Sequence, residues 1–401
     1  MLTGKTIVLG VTGSIAAYKT ANLASMLVKL GADVHVIMTR NATQFITPMT
    51  FETLTSNKCI VDTFDRNFSF DVKHVSLAKR GDLFMVAPCT ANVIGKLAAG
   101  ICDDMLTTTL LATKAPKLLA PAMNTGMWEN PILQHNLQLL QGYGYHIVQP
   151  AVGRLACGDT GSGKMPPEEL LLEHILLHTA RTKDLQGRRL LVTAGPTQEA
   201  IDPVRFITNH SSGKMGYAIA KMAALRGAEV TLVSGPVSIK PFTGIGLVPV
   251  TSARDMFDAV TRRSADSDII IMCSAVADYM PATYSDQKVK KHDGDLSIPL
   301  TRTPDILQYL GDHKPKEQVL VGFSMETENL IENSRAKLTK KKADMICANS
   351  IADSRTGFGV DTNRVTLITH DAVSELPLCS KEETADLILD AIIHHPIPDA
   401  Q

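Results

Sequence analysis

The segment TIVLGVTGSIAAYKTANLASMLVKLGADVHVIM, residues 6–38, decides the fold of this chain. Residues 6–11 are an apolar run typical of a buried parallel strand, and residues 16–30 have the apolar spacing of a helix. A turn follows and leads into a second apolar strand at 33–38. Strand, helix and strand in this order predict a βαβ unit from the beginning of the chain.

The alternation of strands and helices continues to residue 180 and restarts at Arg189. In the first half, strands are predicted at 82–87, 117–120 and 146–149, with helices at 91–99, 104–114, 131–141 and 167–180. In the second half, strands are predicted at 190–194, 230–233, 268–274, 319–322, 344–348 and 364–368, with helices at 213–225, 253–263, 304–310, 329–342 and 381–394. We therefore predict an α/β protein of two Rossmann-like three-layer units with doubly wound, mainly parallel sheets.

The polar segment 181–188 is predicted to link a domain at 1–183 to a domain at 184–401. Two other segments interrupt the pattern of the second domain. Residues 195–212 form a long insertion between its first strand and helix, and loops of that length are usually functional. Residues 278–300 are polar and carry several lysines, so we expect an irregular surface flap.

The composition excludes several classes of protein. The chain has 401 residues with 40 basic and 41 acidic side chains, a formal net charge of −1, so no overall field attracts nucleic acid or an anionic membrane. No run approaches the roughly 20 apolar residues of a membrane span, and no signal sequence precedes the first strand, so we expect a soluble, cytoplasmic protein. The seven cysteines are scattered without a C-x-x-C pair, which predicts neither a disulfide framework nor a zinc site.

Three strand ends in the first half carry candidate binding residues. The turn GSIA at 13–16 opens a helix whose N–H groups favour a phosphate. It is not a G-x-G-x-x-G motif, and the second strand ends without the acid that would hold an adenosine ribose, which argues against NAD and favours a mononucleotide. The segment APCTAN at 87–92 supplies further donors. The segment PAMNTGMW at 121–128 holds the only Trp and predicts a pocket wall in which Asn124 orients a carboxylate; an ordinary strand-to-helix turn with the Trp over the core is the alternative.

Together with ACGDTGSG at 156–163, these motifs resemble the homo-oligomeric flavin-containing cysteine decarboxylases, and among them phosphopantothenoylcysteine decarboxylase. The resemblance covers residues 1–180 and implies FMN bound at the subunit contacts of a trimer. The implied cofactor contacts are Gly13, Ser14, Ile15, Thr39, Pro88, Thr90 and Asn92. The resemblance also implies that His74 is catalytic, that Asn124 holds the substrate carboxylate with Met123 beside it, and that Cys157 is the proton donor in the final reduction.

A flavin is chemically useful for this decarboxylation. A cysteine carboxylate has no carbonyl group beta to itself, so nothing accepts the electrons when carbon dioxide leaves. Oxidation of the thiol-bearing carbon creates that electron sink, and the reduced flavin later returns the hydride. The chain departs from the family pattern at Cys89, at Lys164 and at the pair Pro166 and Pro167. Lys164 stands where an arginine is expected, and a lysine lacks the planar fork that holds a phosphate.

The second half carries another group of candidate residues. Arg205 and the segment NHSSGKMG at 209–216 predict a cradle for a phosphate ester at a helix start. The segment AVADY at 275–279 contributes Asp278, a candidate Mg²⁺ ligand. Separated positive charges suited to a triphosphate are supplied by Lys288, Lys337 and Lys341. Without this context, lysine runs are typical of solvated faces.

These motifs resemble phosphopantothenate–cysteine ligase of the bacterial, CTP-using kind over residues 188–395, and the order of the halves is that of the bifunctional coenzyme A enzymes of bacteria. The resemblance implies that CTP and Mg²⁺ activate 4'-phosphopantothenate as an acyl cytidylate, which the amine of cysteine attacks. Lys288 would stabilise charge during activation, and Asn209 would support the acyl cytidylate. The other implied contacts are Arg205, Ser211, Ser212, Gly213, Ala275, Asp278, Thr303, Pro304, Asp305, Ile306, Phe323, Lys337 and Lys341. Thr303 stands where an Asn is expected, and the implied assembly is a dodecamer of trimeric decarboxylase and dimeric ligase domains.

Two rival functions remain to be weighed. Gly158, Gly163 and Lys164 have nearly the spacing of a P-loop, but Met165 replaces the hydroxyl residue that binds Mg²⁺, and no predicted strand runs directly into Gly158. The first half could also be a non-catalytic flavin-binding regulator. The presence of the three predicted catalytic residues favours an active decarboxylase.

Overall fold

The structure is a computed structural model that describes residues 1–64, 73–155, 158–290, 297–326, 328–350, 357 and 359–394. Contacts divide the chain into two compact units, Met1–Arg181 and Thr182–Gln401, and each is described by itself. Within the described ranges, no helix is long and apolar enough to cross a membrane.

The first unit alternates strands and helices as predicted. Its elements are β1 (Thr6–Val11), α1 (Ala17–Lys29), β2 (Asp33–Met38), a 3₁₀ turn (Ala42–Gln44), α2 (Pro48–Thr55), α3 (Lys73–Arg80), β3 (Leu83–Cys89), α4 (Ala91–Ala98), α5 (Met105–Ala112), β4 (Lys117–Pro121), α6 (Thr125–Trp128), α7 (Pro131–Gly142), β5 (Tyr145–Ile147), β6 (Ala151–Arg154), β7 (Thr160–Lys164) and α8 (Glu168–Thr179). The predicted βαβ unit is confirmed, with Thr6 opposite Asp33 and Val11 opposite Met38 in a parallel pair.

The main sheet of the first unit has the strand order β2-β1-β3-β4-β5, and all of these neighbours are parallel. Every residue of β1 and of β3 is buried, as expected for parallel strands with helices on both faces. Ile94 on α4, Leu119 on β4 and Leu137 on α7 belong to one core cluster. The cluster therefore packs helices against the central strands of the sheet.

The second unit contains more elements than predicted. They are β8 (Arg189–Ala194), β9 (Gln198–Ala200), β10 (Phe206–Thr208), α9 (Lys214–Leu225), β11 (Glu229–Ser234), β12 (Ile245–Pro249), α10 (Ala253–Ser264), β13 (Ile269–Met272), β14 (Tyr279–Pro281), β15 (Leu300–Arg302), α11 (Ile306–His313), β16 (Val319–Glu326), α12 (Leu330–Lys341), β17 (Met345–Ser350), β18 (Thr362–Asn363), β19 (Val365–Ile368), β20 (Val373–Glu375), β21 (Cys379–Ser380) and α13 (Lys381–His394).

The main sheet of the second unit is eight-stranded, in the order β12-β11-β8-β13-β16-β17-β19-β20. Strands β12 to β17 in this order are parallel, whereas β19 is antiparallel to both β17 and β20. The prediction of mainly parallel sheets is confirmed. The insertion at 195–212 contains the antiparallel pair β9–β10, and the predicted flap begins and ends in the antiparallel pair β14–β15, so neither segment is wholly irregular.

Residues 183–188, part of the segment predicted to link the domains, contact the second unit. Lys183 Nζ donates to the Leu225 carbonyl at 2.5 Å, and Leu185 is buried. The Asp184 carboxylate accepts from Arg226 Nε at 2.9 Å and from Arg226 Nη2 at 2.6 Å. Arg226 itself is buried and also bonds Asp390 on α13. Polarity in this segment therefore reflects an ion-pair network, which composition alone does not distinguish from a solvated linker.

Candidate active sites

In the first unit, the strand order reverses between β1 and β3, the position at which open α/β sheets bind ligands. Thr12, fully buried after β1, connects the two loops that leave this point. Its Oγ1 donates to the Pro88 carbonyl at 2.8 Å and accepts from Thr90 N at 3.1 Å. Pro88, predicted as a cofactor contact, is buried, and its carbonyl accepts this bond from Thr12.

A cavity of about 660 Å³ opens at this edge. Its lining includes the predicted cofactor residues Gly13, Thr39, Thr90 and Asn92. A Cβ atom on Gly13 would lie 2.7 Å from the Cβ of Asn41, so a side chain does not fit there. The volume is within the range of roughly 300–1,000 Å³ that small-molecule sites occupy.

A second cavity of about 580 Å³ is lined by four other predicted residues of this region. Ser14 and Ile15 line it from the first loop, and Met123 and Asn124 line it from the segment after β4. The antiparallel hairpin β6–β7, which the sequence did not predict, contributes two cations, Arg154 and Lys164. Sequence reasoning missed Arg154 because the exposed, glycine-containing strand that carries it has no apolar alternation.

The hairpin is bonded directly to the segment after β4. Met123 N donates to the Gly163 carbonyl at 3.0 Å, and Thr125 Oγ1 donates to the Ser162 carbonyl at 3.0 Å. A Cβ atom on Gly163 would lie 2.4 Å from Met123 O, and its φ is +115°, so only glycine allows this approach. The glycines at 156–163 thus bring the hairpin against the predicted substrate residues. Cys157 lies outside the described residues.

Asn124 has a structural role as well as a predicted binding role. Its Oδ1 accepts from Gly126 N at 2.8 Å and caps α6, and its Nδ2 lies 3.4 Å from Asp159 Oδ2. Trp128 is not among the described residues that line these two cavities. Trp128 is half-buried against the core, as the alternative had it, and its neighbour Met127 lines the first cavity instead.

The structure does not bring His74 to either cavity. His74 is half-buried near the start of α3 and is not among the described residues that line them. Cys89, one of the departures from the family pattern, is fully buried in β3, and burial raises its pKa well above the usual value. Cys89 is therefore an unreactive core thiol.

In the second unit, the strand order reverses between β8 and β13. Thr193 Oγ1, at the end of β8, accepts from Cys273 N at 3.0 Å and Ser274 N at 3.1 Å. Asn209 Nδ2 donates to the Ala275 carbonyl at 3.0 Å, although 66 residues separate them. The long insertion is therefore folded against the loop after β13, which places Asn209 beside the reversal point.

The predicted phosphate cradle lies at the start of α9. Gly213 is its N-cap with φ +77°, and Gly213 N donates to Ser211 Oγ at 3.3 Å. Ser211 and Ser212 are half-buried at this helix start. Arg205, predicted as part of this cradle, is hydrogen-bonded to other groups of the protein. Its Nε and Nη2 donate to the Asp202 carboxylate, and its Nη2 also donates to the Val289 carbonyl at 3.1 Å.

A third cavity, of about 490 Å³, collects most of the predicted nucleotide residues. Those that line it are Asp278, Thr303, Pro304, Asp305, Ile306, Phe323, Lys337 and Lys341. Thr303 Oγ1 donates to the Ala277 carbonyl at 2.6 Å, which joins the end of β15 to the loop after β13. Seven other predicted residues of the second unit are not among the described lining residues: Arg205, Asn209, Ser211, Ser212, Gly213, Ala275 and Lys288. Lys288 is exposed on the flap.

Two lysines line this cavity together with Arg302. Burial lowers the pKa of Lys337, whose Nζ donates to the Phe323 carbonyl at 2.9 Å. Lys341 forms an ion pair with Asp305. Burial raises the pKa of the Asp305 carboxyl, but its bonds to Lys341 and to Gln308 N outweigh burial and keep that pKa below the usual value. Asp305 therefore remains ionised and shares Lys341 with any bound anion.

Ser274 is a candidate ligand contact that sequence reasoning missed. It lines the third cavity, and its buried hydroxyl has no hydrogen-bond partner among the described residues. A buried hydroxyl without a partner costs about 1–3 kcal/mol, which favours a partner supplied by a ligand. No metal-binding group of three or more His, Cys, Asp or Glu occurs in the described part of the chain.

Residues 1–179 match the Flavoprotein family, and residues 185–395 match the DNA/pantothenate metabolism flavoprotein C-terminal domain. The chain is 46% identical over 396 residues to the coenzyme A biosynthesis bifunctional protein CoaBC of Bacillus subtilis strain 168, covering 98% of this chain and 97% of the relative. It is 43% identical over 398 residues to the CoaBC protein of Escherichia coli K12, covering 98% and 97%. A crystal structure of the C-terminal domain of a CoaBC protein is 46% identical, covers 53% of this chain and 97% of that chain, and has a TM-score of 0.46.

Proposed function

Because the chain belongs to the family of bifunctional coenzyme A biosynthesis proteins, we propose that its second unit ligates cysteine to 4'-phosphopantothenate and its first unit decarboxylates the product to 4'-phosphopantetheine. The observation that carries the proposal is the relationship to bifunctional relatives along 98% of the chain, through both units. The cavity at the reversal point of each sheet supports this proposal, since open α/β sheets bind small molecules at that position.

FMN is the proposed cofactor of the first unit. The cavity beside Gly13 has the size for a mononucleotide, and it lies next to the start of α1, where the helix dipole favours a phosphate. Thr39, Thr90 and Asn92 would supply polar contacts. A bound flavin would supply the oxidation that makes loss of carbon dioxide from a cysteine carboxylate feasible.

The residues of the second cavity would hold the substrate of the decarboxylation. Arg154 and Lys164 would bind its phosphate, and Asn124 Nδ2 would donate to its carboxylate, which can only accept hydrogen bonds. Cys157 would donate a proton in the final reduction, and His74 would act in the proton transfer that precedes it. The Cys157→Ser variant should still release carbon dioxide but fail to form 4'-phosphopantetheine, since a hydroxyl is a far weaker acid than a thiol.

CTP with Mg²⁺ is the proposed co-substrate of the second unit. Lys337 and Lys341 would hold its phosphates, and Asp278 would bind Mg²⁺ together with phosphate oxygens. The unpartnered hydroxyl of Ser274 fits a polar group of the ligand. Lys288 would stabilise the charge that develops while the acyl cytidylate forms, before the cysteine amine attacks.

A homo-oligomer is proposed, with trimeric decarboxylase units, dimeric ligase units and a dodecamer overall. Ile15 and Tyr18 support it, because they line the second cavity while 60% and 58% of their surface is exposed. A neighbouring copy would cover these side chains and enclose the cavity. The mass of the native protein in light scattering tests this assembly.

One incubation tests the proposed activity. The purified protein should be yellow with the spectrum of FMN, and with 4'-phosphopantothenate, cysteine, CTP and Mg²⁺ it should release pyrophosphate and carbon dioxide and form 4'-phosphopantetheine. Lys341→Ala should lose ligation and still decarboxylate supplied 4'-phosphopantothenoylcysteine. Asn124→Ala should keep ligation and lose decarboxylation. A yellow protein that ligates without releasing carbon dioxide would instead identify the first unit as a flavin-binding regulator.

A further inference from the structure

The loop at 201–205, between β9 and β10, is built around the buried carboxylate of Asp202. Asp202 Oδ1 accepts from Val204 N and Arg205 N, each at 2.9 Å. Its Oδ2 accepts from Arg205 Nε at 3.0 Å and also from Arg205 Nη2. Asp202 is only 2% exposed, so these groups replace water around a buried charge.

The same carboxylate reaches the flap, 87 residues further along the chain. Val289 N donates to Asp202 Oδ2 at 3.1 Å, and Arg205 Nη2 donates to the Val289 carbonyl at 3.1 Å. A second bond, from Ser285 N to the Ile201 carbonyl at 3.1 Å, holds the flap four residues earlier. The flap segment at 285–289 is thus attached to the loop at both ends, and Lys288 lies between the two attachments.

Lys288 is exposed, and its long side chain samples many rotamers, so a fixed backbone is what limits the region that its ammonium group reaches. Charge stabilisation during a reaction depends on a group that is already in place, and a displacement of about 1 Å can lower the rate by roughly 100-fold. The bonds to Arg205 hold the pKa of Asp202 well below its usual value, so the carboxylate stays ionised at any pH used for assay. We infer that Asp202, together with Arg205, is a positioning residue that fixes Lys288 for the nucleotide-dependent activation step; this inference rests on the proposed ligase function.

The roles of Arg205 and Lys288 are therefore coupled. Arg205, predicted from the sequence to cradle a phosphate ester, acts here through the flap backbone. None of residues 285–289 is among the described residues that line the third cavity, so loosening this segment should slow activation without weakening nucleotide binding.

The test uses the full chain with Asp202→Asn, which keeps the side-chain shape and removes the charge. Glu199→Gln is the matched control, because Glu199 is also buried in the same insertion and accepts a backbone bond from Ala253 N at 2.9 Å, at the start of α10 and not from the segment 285–289. Asp202→Asn should lower kcat for pyrophosphate release by roughly 10- to 100-fold and leave the KM for CTP within about twofold. Arg205→Lys, which keeps the charge but not the fork, should give a smaller loss of the same kind. Glu199→Gln should give neither loss.

Two readouts separate positioning from general stability. In the Lys288→Ala background, Asp202→Asn should cause no further loss of pyrophosphate release, because the residue that it positions is gone. In the protein without ligands, the Val289 amide should exchange hydrogen faster in Asp202→Asn and Arg205→Lys than in the parent or in Glu199→Gln. Multiplying losses in the double variant, or unchanged exchange at Val289, would overturn the inference while the parent still ligates. A parent that releases no pyrophosphate would overturn the ligase function itself.

Discussion

Replacement of Asn209 by Asp or by Ala should separate two roles of this side chain in the ligase unit. Its Nδ2 donates to the Ala275 carbonyl, which also accepts from Thr197 N at 3.2 Å. Asn209→Ala therefore removes one bond without leaving that carbonyl unpaired. Asn209→Asp removes the same bond and adds a negative charge beside the proposed phosphoanhydride and acyl phosphate.

The magnitudes predict which variant is worse. Loss of one ordinary hydrogen bond costs about 0.5–1.5 kcal/mol, or roughly a two- to tenfold decrease in rate. Two like charges about 4 Å apart repel by about 4 kcal/mol at an effective dielectric of 20 and by about 1 kcal/mol in water. Asn209 is exposed, so its value lies between these limits. Asn209→Asp should therefore be slower than Asn209→Ala by at least about fivefold, which corresponds to a further 1 kcal/mol.

Salt dependence identifies the cause. The deficit of Asn209→Asp relative to Asn209→Ala should shrink between 0.05 and 0.5 M salt, because screening weakens charge repulsion, whereas the deficit of Asn209→Ala should stay constant. The measurement is pyrophosphate release with 4'-phosphopantothenate and CTP, with trapping of the acyl cytidylate. Decarboxylation of supplied 4'-phosphopantothenoylcysteine should equal that of the parent in both variants. Equal deficits at all salt concentrations would show that Asn209 acts only by holding the Ala275 carbonyl.

Three other predictions follow from single contacts. Ser274→Ala should leave the free energy of unfolding unchanged or raise it by about 1 kcal/mol, because an unpartnered hydroxyl is removed, while the KM of one ligase substrate rises roughly threefold to tenfold; denaturant titration and steady-state kinetics measure both. A ligase fragment that begins at Thr182 should be more stable in urea by roughly 1–2 kcal/mol than one that begins three residues later, since only the longer fragment keeps the Asp184 carboxylate for Arg226. Because burial lowers the pKa of Lys337, this lysine should lose its proton at a pH below the usual lysine range, and the KM for CTP should rise as it does so. Lys337→Arg should abolish that alkaline rise in steady-state kinetics, because arginine stays protonated.

The central strands could be predicted from the sequence because their physical setting is uniform. Strands β1 and β13 are buried along their whole length, and burial on both faces produces an unbroken apolar run. Residues of β6 alternate between half-buried and exposed, and all residues of β20 are exposed, so neither strand has an apolar signal. These short strands depend on a partner strand that local sequence does not identify.

The candidate sites divide in the same way. Residues in the loops that follow a central strand, such as Gly13 and Asp278, could be predicted because the carboxyl edge of a parallel sheet fixes where these loops lie. The partner of Arg205 could not. Its acid lies three residues earlier, within reach of local inspection, but the bond to Val289 spans 84 residues and depends on how two loops fold together. The positive charge of Arg205 predicted a bound substrate anion, whereas the anion that it contacts in the structure is the Asp202 carboxylate.

Both units solve the same physical problem at the point where strand order reverses. Loops that leave two neighbouring strands must separate there, so backbone N–H groups at the crevice lose the partners that a continuous ladder would give them. In the first unit, Thr12 Oγ1 accepts from Thr90 N, and in the second unit, Thr193 Oγ1 accepts from Cys273 N and Ser274 N. Both threonines are fully buried, so these bonds are made without competition from water. A valine has nearly the same shape but would leave these N–H groups unpaired, at about 1–3 kcal/mol each. A threonine hydroxyl at the end of the strand thus satisfies the N–H groups of the neighbouring loop. The two loops can separate to form a ligand site and still keep a fixed position.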